Sequence, residues 1–119
     1  MEPQRDEKLR LAEEHRVNGR YDQAQPLYEE LLAEDSSFAK AHWGLAHVLM
    51  NIGEFEAALE HFQKCCDLEP SNQRFLYDCA MMQAMLSMFE EAKALFKRVI
   101  SLDPNSHLAD EARKQLSYY

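Results

Sequence analysis

The residues able to do chemistry in this 119-residue chain do not assemble into a catalytic motif. Five histidines are spread along it, at 15, 42, 47, 61 and 107. His42 and His47 stand five apart, off the i, i+4 spacing that brings two ligands to one face of a helix. His15, His61 and His107 have no ligand-type neighbour nearby in sequence, so all five read as ordinary helix histidines. Cys65, Cys66 and Cys79 make an odd count with two adjacent, which is not a disulfide framework. They read as small reduced core residues, with a thiol pair or a metal site as the sharper alternative. The three glycines form no phosphate-cradling loop. The serines lack a nucleophile setting, and the carboxylates read as a solvated back. The chain is therefore read as no enzyme, with no cofactor and no bound metal.

Large apolar side chains at regular spacing suggest binding instead. Trp43, His47 and Met50 fall at i, i+4, i+7, and Tyr77, Met81 and Met85 at i, i+4, i+8, so each set shares one helix face. Aromatic rings anchor partners and methionine adapts to irregular apolar surfaces. The plainer alternative is that Trp43, Met81 and Met85 only fill gaps between helices. A net charge of −8 argues against a nucleic-acid partner and against an anionic membrane surface. No signal peptide or membrane-length apolar run is visible, so a cytoplasmic protein without membrane insertion is expected, whole or as a module of a larger chain.

These residues must be positioned by a repeat. The segments 5–38, 39–72 and 73–106 align without a gap at a period of 34. Leu11, Leu45 and Cys79 share a column, followed by Ala12, Ala46 and Ala80. Gly19, Gly53 and Ser87 share a turn column, then Tyr21, Phe55 and Phe89. Ala24, Ala58 and Ala92 form another, and Tyr28, Phe62 and Phe96 a further one. Pro70 and Pro104 close the second and third units, where the first has Ser36. Each unit carries two apolar stripes around a break. In the second unit Leu45, Ala46 and Leu49 mark the first stripe, and Ala58, Leu59, Phe62 and Cys66 the second. Gly53 suits a positive-φ turn residue. Helices are predicted over 5–18, 21–34, 38–51, 55–68, 73–86 and 89–102, with Ser37 and Asn72 as caps. A seventh is predicted over 107–119, with Leu108, Ala109, Ala112 and Leu116 on one face. It reads as a terminal cap; the alternative is the first helix of a fourth repeat.

The period, the small-residue columns, the Gly-x-Phe turn and the Glu-Pro or Asp-Pro ending closely resemble the tetratricopeptide repeat family. The departures are Ser87, Ser36 and the order Gly44-Leu45-Ala46. Ala24 to Tyr28 resembles the kinesin-light-chain-type variant, with Pro26 near the first turn of its helix. The resemblance implies an all-α, right-handed α-solenoid of three helical hairpins with a C-terminal capping helix, one domain over 1–119. It also implies that the first helix of each hairpin lines a concave groove. That groove would present Asp6, Leu9, Glu13, Arg16 and Val17, then Lys40, Trp43, His47, Met50 and Asn51, then Arg74, Tyr77, Met81, Ala84 and Met85. Asp78 would lie at its edge. The candidate peptide-binding residues are Leu9, Glu13, Arg16, Lys40, Trp43, His47, Met50, Arg74, Tyr77 and Met81. The expected partner is a protein or peptide with apolar anchors and mild acidity. A self-associating scaffold, a homo-oligomer, or a regulatory domain of a larger protein are the alternatives. In family members that clamp chaperone-tail carboxylates, the gripping positions match Leu9, Glu13, Gly44, Arg74 and Asp78 here. Only Arg74 suits that task, so tight binding of such tails is not expected.

Overall fold

The computed structural model describes residues 2–119, and side chains from Gln4 onward. Seven helices and no strand occur among the described residues: α1 Glu2–Val17, α2 Tyr21–Glu34, α3 Ala39–Asn51, α4 Phe55–Leu68, α5 Gln73–Met85, α6 Phe89–Leu102 and α7 His107–Leu116. Each helix packs on the next in sequence, and α1 also meets α3 as α5 meets α7. The result is an all-α solenoid of helical hairpins, 42 × 27 × 22 Å.

The period is written into the backbone. Gly19, Gly53 and Ser87 take φ of 76°, 88° and 63°. Just after each, an amide reaches back five residues: Arg20 to His15, Glu54 to Leu49 and Met88 to Gln83, all at 2.8 Å. This closes the orphan carbonyls of the preceding helix in the same way three times. Ser87 adopts the left-handed conformation in spite of its Cβ. The even-numbered helices fall on their predicted bounds, and ends of α1, α3, α5 and α7 differ from theirs by one to three residues. Ser37 does not cap α3: its amide donates to Asp35 Oδ1 at 3.0 Å, and Phe38 occupies the N-cap position. Asn72 does cap α5, accepting from the Phe75 amide at 3.1 Å. Pro26 sits inside α2, past its first turn, on an exposed side.

The alanine columns 12/46/80 and 24/58/92 and the aromatic column Tyr28/Phe62/Phe96 are all fully buried. So is the column Leu31/Cys65/Val99, where the stripe of the second unit had Cys66 in place of Cys65. Cys65, not Cys66, is the core thiol of α4; Cys66 falls in the half-buried column with Leu32 and Ile100. Burial raises the Cys65 thiol to about 12. At the end of the stack α7 buries Ala109 and Ala112, with Leu108 and Leu116 packed beside the core. Ser106 caps it, accepting from the Ala109 amide at 3.0 Å. The Gln73 amide nitrogen pins that turn by donating to Val99 O and to Ser106 Oγ, at 2.7 and 3.0 Å.

Two features were not legible beforehand. The Tyr28 ring lies directly against the Gly44 backbone, where a Cβ would enter the ring. Glycine at this place in the repeat is what lets a tyrosine fill the joint between α2 and α3. Behind it, His42 and His61 meet through their Nδ1 atoms at 3.0 Å, and His42 Nε2 lies 2.8 Å from Ser36 O. With one proton between the two Nδ1 atoms, one neutral ring donates to the other. Burial and then the neighbouring His42 hold His61 below the ordinary histidine pKa, against the weaker opposite pull of Glu60 and Glu29.

Gly44→Ala should lower unfolding free energy by about 2 kcal/mol in urea titrations, through overpacking against Tyr28. The histidine pair should show as a pH effect of definite sign. The unfolded chain takes up a proton at His61 near its reference value of 6.5, before the folded chain does. Stability should therefore fall as pH drops from about 6.5 toward the lower folded pKa. His61→Gln should remove part of the difference between urea midpoints at about pH 7.5 and pH 5.5.

Candidate functional site

The odd-numbered helices α1, α3 and α5 lie along one wall, joined by a chain of polar and aromatic contacts. Arg16 on α1 donates from Nε to Tyr28 Oη at 3.0 Å. Its guanidinium lies 4.8 Å from the centre of the Trp43 ring on α3. The Trp43 indole N–H donates to Asp78 Oδ2 on α5 at 2.7 Å, and His47 Nε2 lies 3.2 Å from the same oxygen. Arg74 Nη1 donates to Asp78 Oδ1 at 3.4 Å. His47 also meets the rings of Trp43 and Phe62 edge-on, at 4.5 and 5.1 Å between centres.

Asp78 is the hub of this wall, not its edge. Its residue exposure is 9%, and a carboxylate so placed is costly unless hydrogen-bonded. The indole, the imidazole and the guanidinium converge to meet that requirement. One signal was available in the sequence: Asp78 follows Trp43 by 35 residues, one period plus one, and so falls beside it on the neighbouring helix.

Two clefts open along the wall. One, of about 240 Å³, is lined by Glu13, Lys40, Trp43, Asn72, Arg74 and Phe75. Another, of about 440 Å³, begins at Lys40 and includes Asp6, Leu9, Arg5, Asp35 and Phe38. The Arg5 guanidinium stacks 4.4 Å from the Phe38 ring centre and pairs with Asp35 at 3.6 Å. The structure thus brings Leu9, Glu13, Lys40, Trp43 and Arg74 to the same region, with Arg16 over the tryptophan ring and His47 tied in through Asp78. Asn72, Phe75 and Phe38 were missed as lining residues: Phe38 and Asn72 are N-cap residues outside the helices, and Phe75 belongs to the buried side of α5.

Trp43 is half-buried, not a free anchor, with its polar edge already satisfied. Met50 and Met81 are half-buried and pack on the core. Tyr77 is half-buried too, 5.6 Å from the Phe96 ring. Its hydroxyl is held above the usual range by burial, then by nearby Glu111 and Asp78, against the opposite pull of Gln115 on α7 and of Arg74. Neither Met50, Tyr77 nor Met81 lines the two clefts. Val17 and Met85 are the open apolar residues, at 68% and 54% exposure.

Family models of the tetratricopeptide repeat match residues 9–73 and 53–116. The chain belongs to the tetratricopeptide repeat family. Anaphase-promoting complex subunit 3 of Schizosaccharomyces pombe is 24% identical to this tetratricopeptide chain over 96 residues, which is 81% of the chain but 14% of that protein. Among solved structures, the Yersinia enterocolitica type III secretion translocator chaperone SycD matches with a TM-score of 0.91 at 16% identity, over 99% of this chain and 84% of that one. The first tetratricopeptide domain of Spaghetti (RPAP3), bound to the HSP90 peptide SRMEEVD, matches with a TM-score of 0.82 at 22% identity, over 92% and 88%. At such identities the likeness is one of fold. No described helix is long and apolar enough to cross a membrane, and no three His, Cys, Asp or Glu residues among those described could hold a metal ion.

Trp43→Phe should cost about 1–3 kcal/mol of stability in urea titrations, because Asp78 Oδ2 loses its shortest donor while staying buried. Met85→Ser, on the open surface, should stay within about 0.5 kcal/mol of the wild type.

Proposed function

We propose that the wall of α1, α3 and α5 receives an extended or helical segment of a partner protein. The chain then works as a non-enzymatic interaction module, one domain over 1–119, in the cytoplasm. The observation that carries this is the cleft at Lys40, where the half-buried Trp43 ring, with the edge of the buried Phe75 beside it, shares the lining with two cations, Lys40 and Arg74, and one carboxylate, Glu13. Arg74 is partly committed to Asp78, but Lys40 pairs with no carboxylate among the described residues. An apolar anchor followed by an acid is the segment that fits. The family supports a protein-interaction role, as do the chaperone SycD and the peptide-bound Spaghetti domain.

The partner differs in kind from a chaperone tail gripped by a carboxylate clamp. Of the matching positions, Gly44 is buried beneath Tyr28, Glu13 is acidic, and Arg74 already faces Asp78. A second reading, self-association, draws on exposed aromatic residues at the far end. Phe89 is 45% and Tyr118 69% exposed. Tyr119, however, turns back onto Phe89 at 5.5 Å between ring centres.

Selection of displayed random peptides on the folded protein tests the groove. Enriched peptides should combine an aromatic or aliphatic residue with an acid, and should shift the fluorescence of Trp43, the sole tryptophan. Lys40→Glu should weaken them at least tenfold, about 1.4 kcal/mol, at unchanged melting temperature. Equal affinity for wild type and Lys40→Glu would place the binding elsewhere. Mass that rises with concentration in sedimentation equilibrium would favour self-association.

A further inference from the structure

Away from the groove wall, α4, α5 and α6 enclose a cleft of about 510 Å³ in the seam between the second and third hairpins. Cys66 of α4 and Cys79 of α5 both line it, and the two thiols lie near enough to shift each other's proton affinity. Beside them stands Gln83, 5% exposed, whose Oε1 is buried without any hydrogen-bond partner among the described residues. A buried acceptor left open is costly to the fold, and here it borders an accessible space. Arg98, Asp67 and Glu91 complete the polar rim. The cleft therefore offers an unpaired acceptor for an amide N–H, a cation for a carboxylate, and carboxylates for an ammonium.

We propose that Cys66 and Cys79 are a redox-active dithiol, and that this cleft admits a small zwitterionic disulfide of the glutathione type. The two thiols are suited to different steps. Cys66 is half-buried and the more accessible of the two, and the neighbouring Cys79 thiol, helped by nearby Arg98, holds its pKa below the ordinary thiol value. Cys79 is 1% exposed, and its proton is held more tightly by the neighbouring Cys66 thiol and by burial. Cys66 is the attacking thiol. It gives its proton to solvent, and its thiolate attacks one sulfur of R–S–S–R. That bond breaks, a first RS⁻ leaves and is protonated, and Cys66 carries the mixed disulfide. Cys79 then loses its proton and attacks Cys66 Sγ. The mixed disulfide breaks and a second RS⁻ leaves, likewise protonated. Two protein thiols are oxidised by two electrons and one external disulfide is reduced to two thiols. The new bond ties α4 to α5, and with them one hairpin to the next. Cys65 takes no part: it is fully buried, donates to Ala39 O, and has its pKa raised to about 12.

The test treats the folded, reduced full chain with glutathione disulfide, followed by intact mass and free-thiol titration. The wild type should lose two of its three free thiols and retain no glutathione, with peptide mapping placing the disulfide at Cys66 and Cys79. Cys79→Ser should stop with one glutathione on Cys66. Cys66→Ser should keep both of its remaining thiols, and Cys65→Ser should form the same disulfide as the wild type. Circular dichroism checks that each variant is folded, and the wild-type result decides even where a variant is not. Retention of all three wild-type thiols, a lasting mixed disulfide on the wild type, or a bond involving Cys65 would overturn the proposal.

Discussion

A single helical hairpin of this length cannot hold itself together. The ordering entropy of its 34 residues, on the order of 1.5 kcal/mol each, exceeds what one apolar face can return. Every hairpin here depends on a neighbour, and the fully buried columns show how that dependence is met. Alanines at 12/46/80 and 24/58/92 let helices approach, and Tyr28, Phe62 and Phe96 fill the joint in each unit. The last hairpin takes α7 as its neighbour. Stability is therefore held at the seams between units, as in other quasi-one-dimensional arrays.

The seams are not alike, and their differences shape the molecule's surface. The joint between the first two hairpins holds a tyrosine against a glycine backbone. That tyrosine's hydroxyl reaches Arg16, which in turn lies over Trp43. Between the second and third, the wall side is joined by a buried carboxylate and the other side by a thiol pair beside an open acceptor. Polar groups inside a seam specify how neighbours align, because misplacing them leaves a buried group unpaired. Asp78 does this for α3 and α5, and in doing so orients the tryptophan whose exposed face helps line the smaller cleft.

The wall is thus more committed to the fold than its sequence suggests. Trp43, Tyr77, Met50 and Met81 each spend part of their surface on internal packing. What is left for a visitor is a mixed surface, with the open part of the Trp43 ring beside cations. Lys40 is the residue there that the fold uses least, which makes it the group best able to discriminate partners without affecting stability.

The periodicity was sufficient to read the helices, their pairing and most of the core. A column repeated three times at 34 residues reports a position that is buried in the same way each time, and local helical spacing does the rest. Even the Cys65 assignment was available by that logic, through Leu31 and Val99. The left-handed turn at Ser87 was legible too, since two glycines occupy its column. Contacts that differ between repeats were not legible by periodicity. The Tyr28–Gly44 approach, the His42–His61 pair and the Cys66–Cys79 pair each join residues from different helices and occur once; so does the Trp43–His47–Asp78–Arg74 cluster, of which the repeat spacing gave only that Trp43 and Asp78 are neighbours. Helical period fixes the face on which a side chain lies. Which groups from two helices meet depends on crossing angle, rotamer and the size of everything packed around them, and only the tertiary structure decides these.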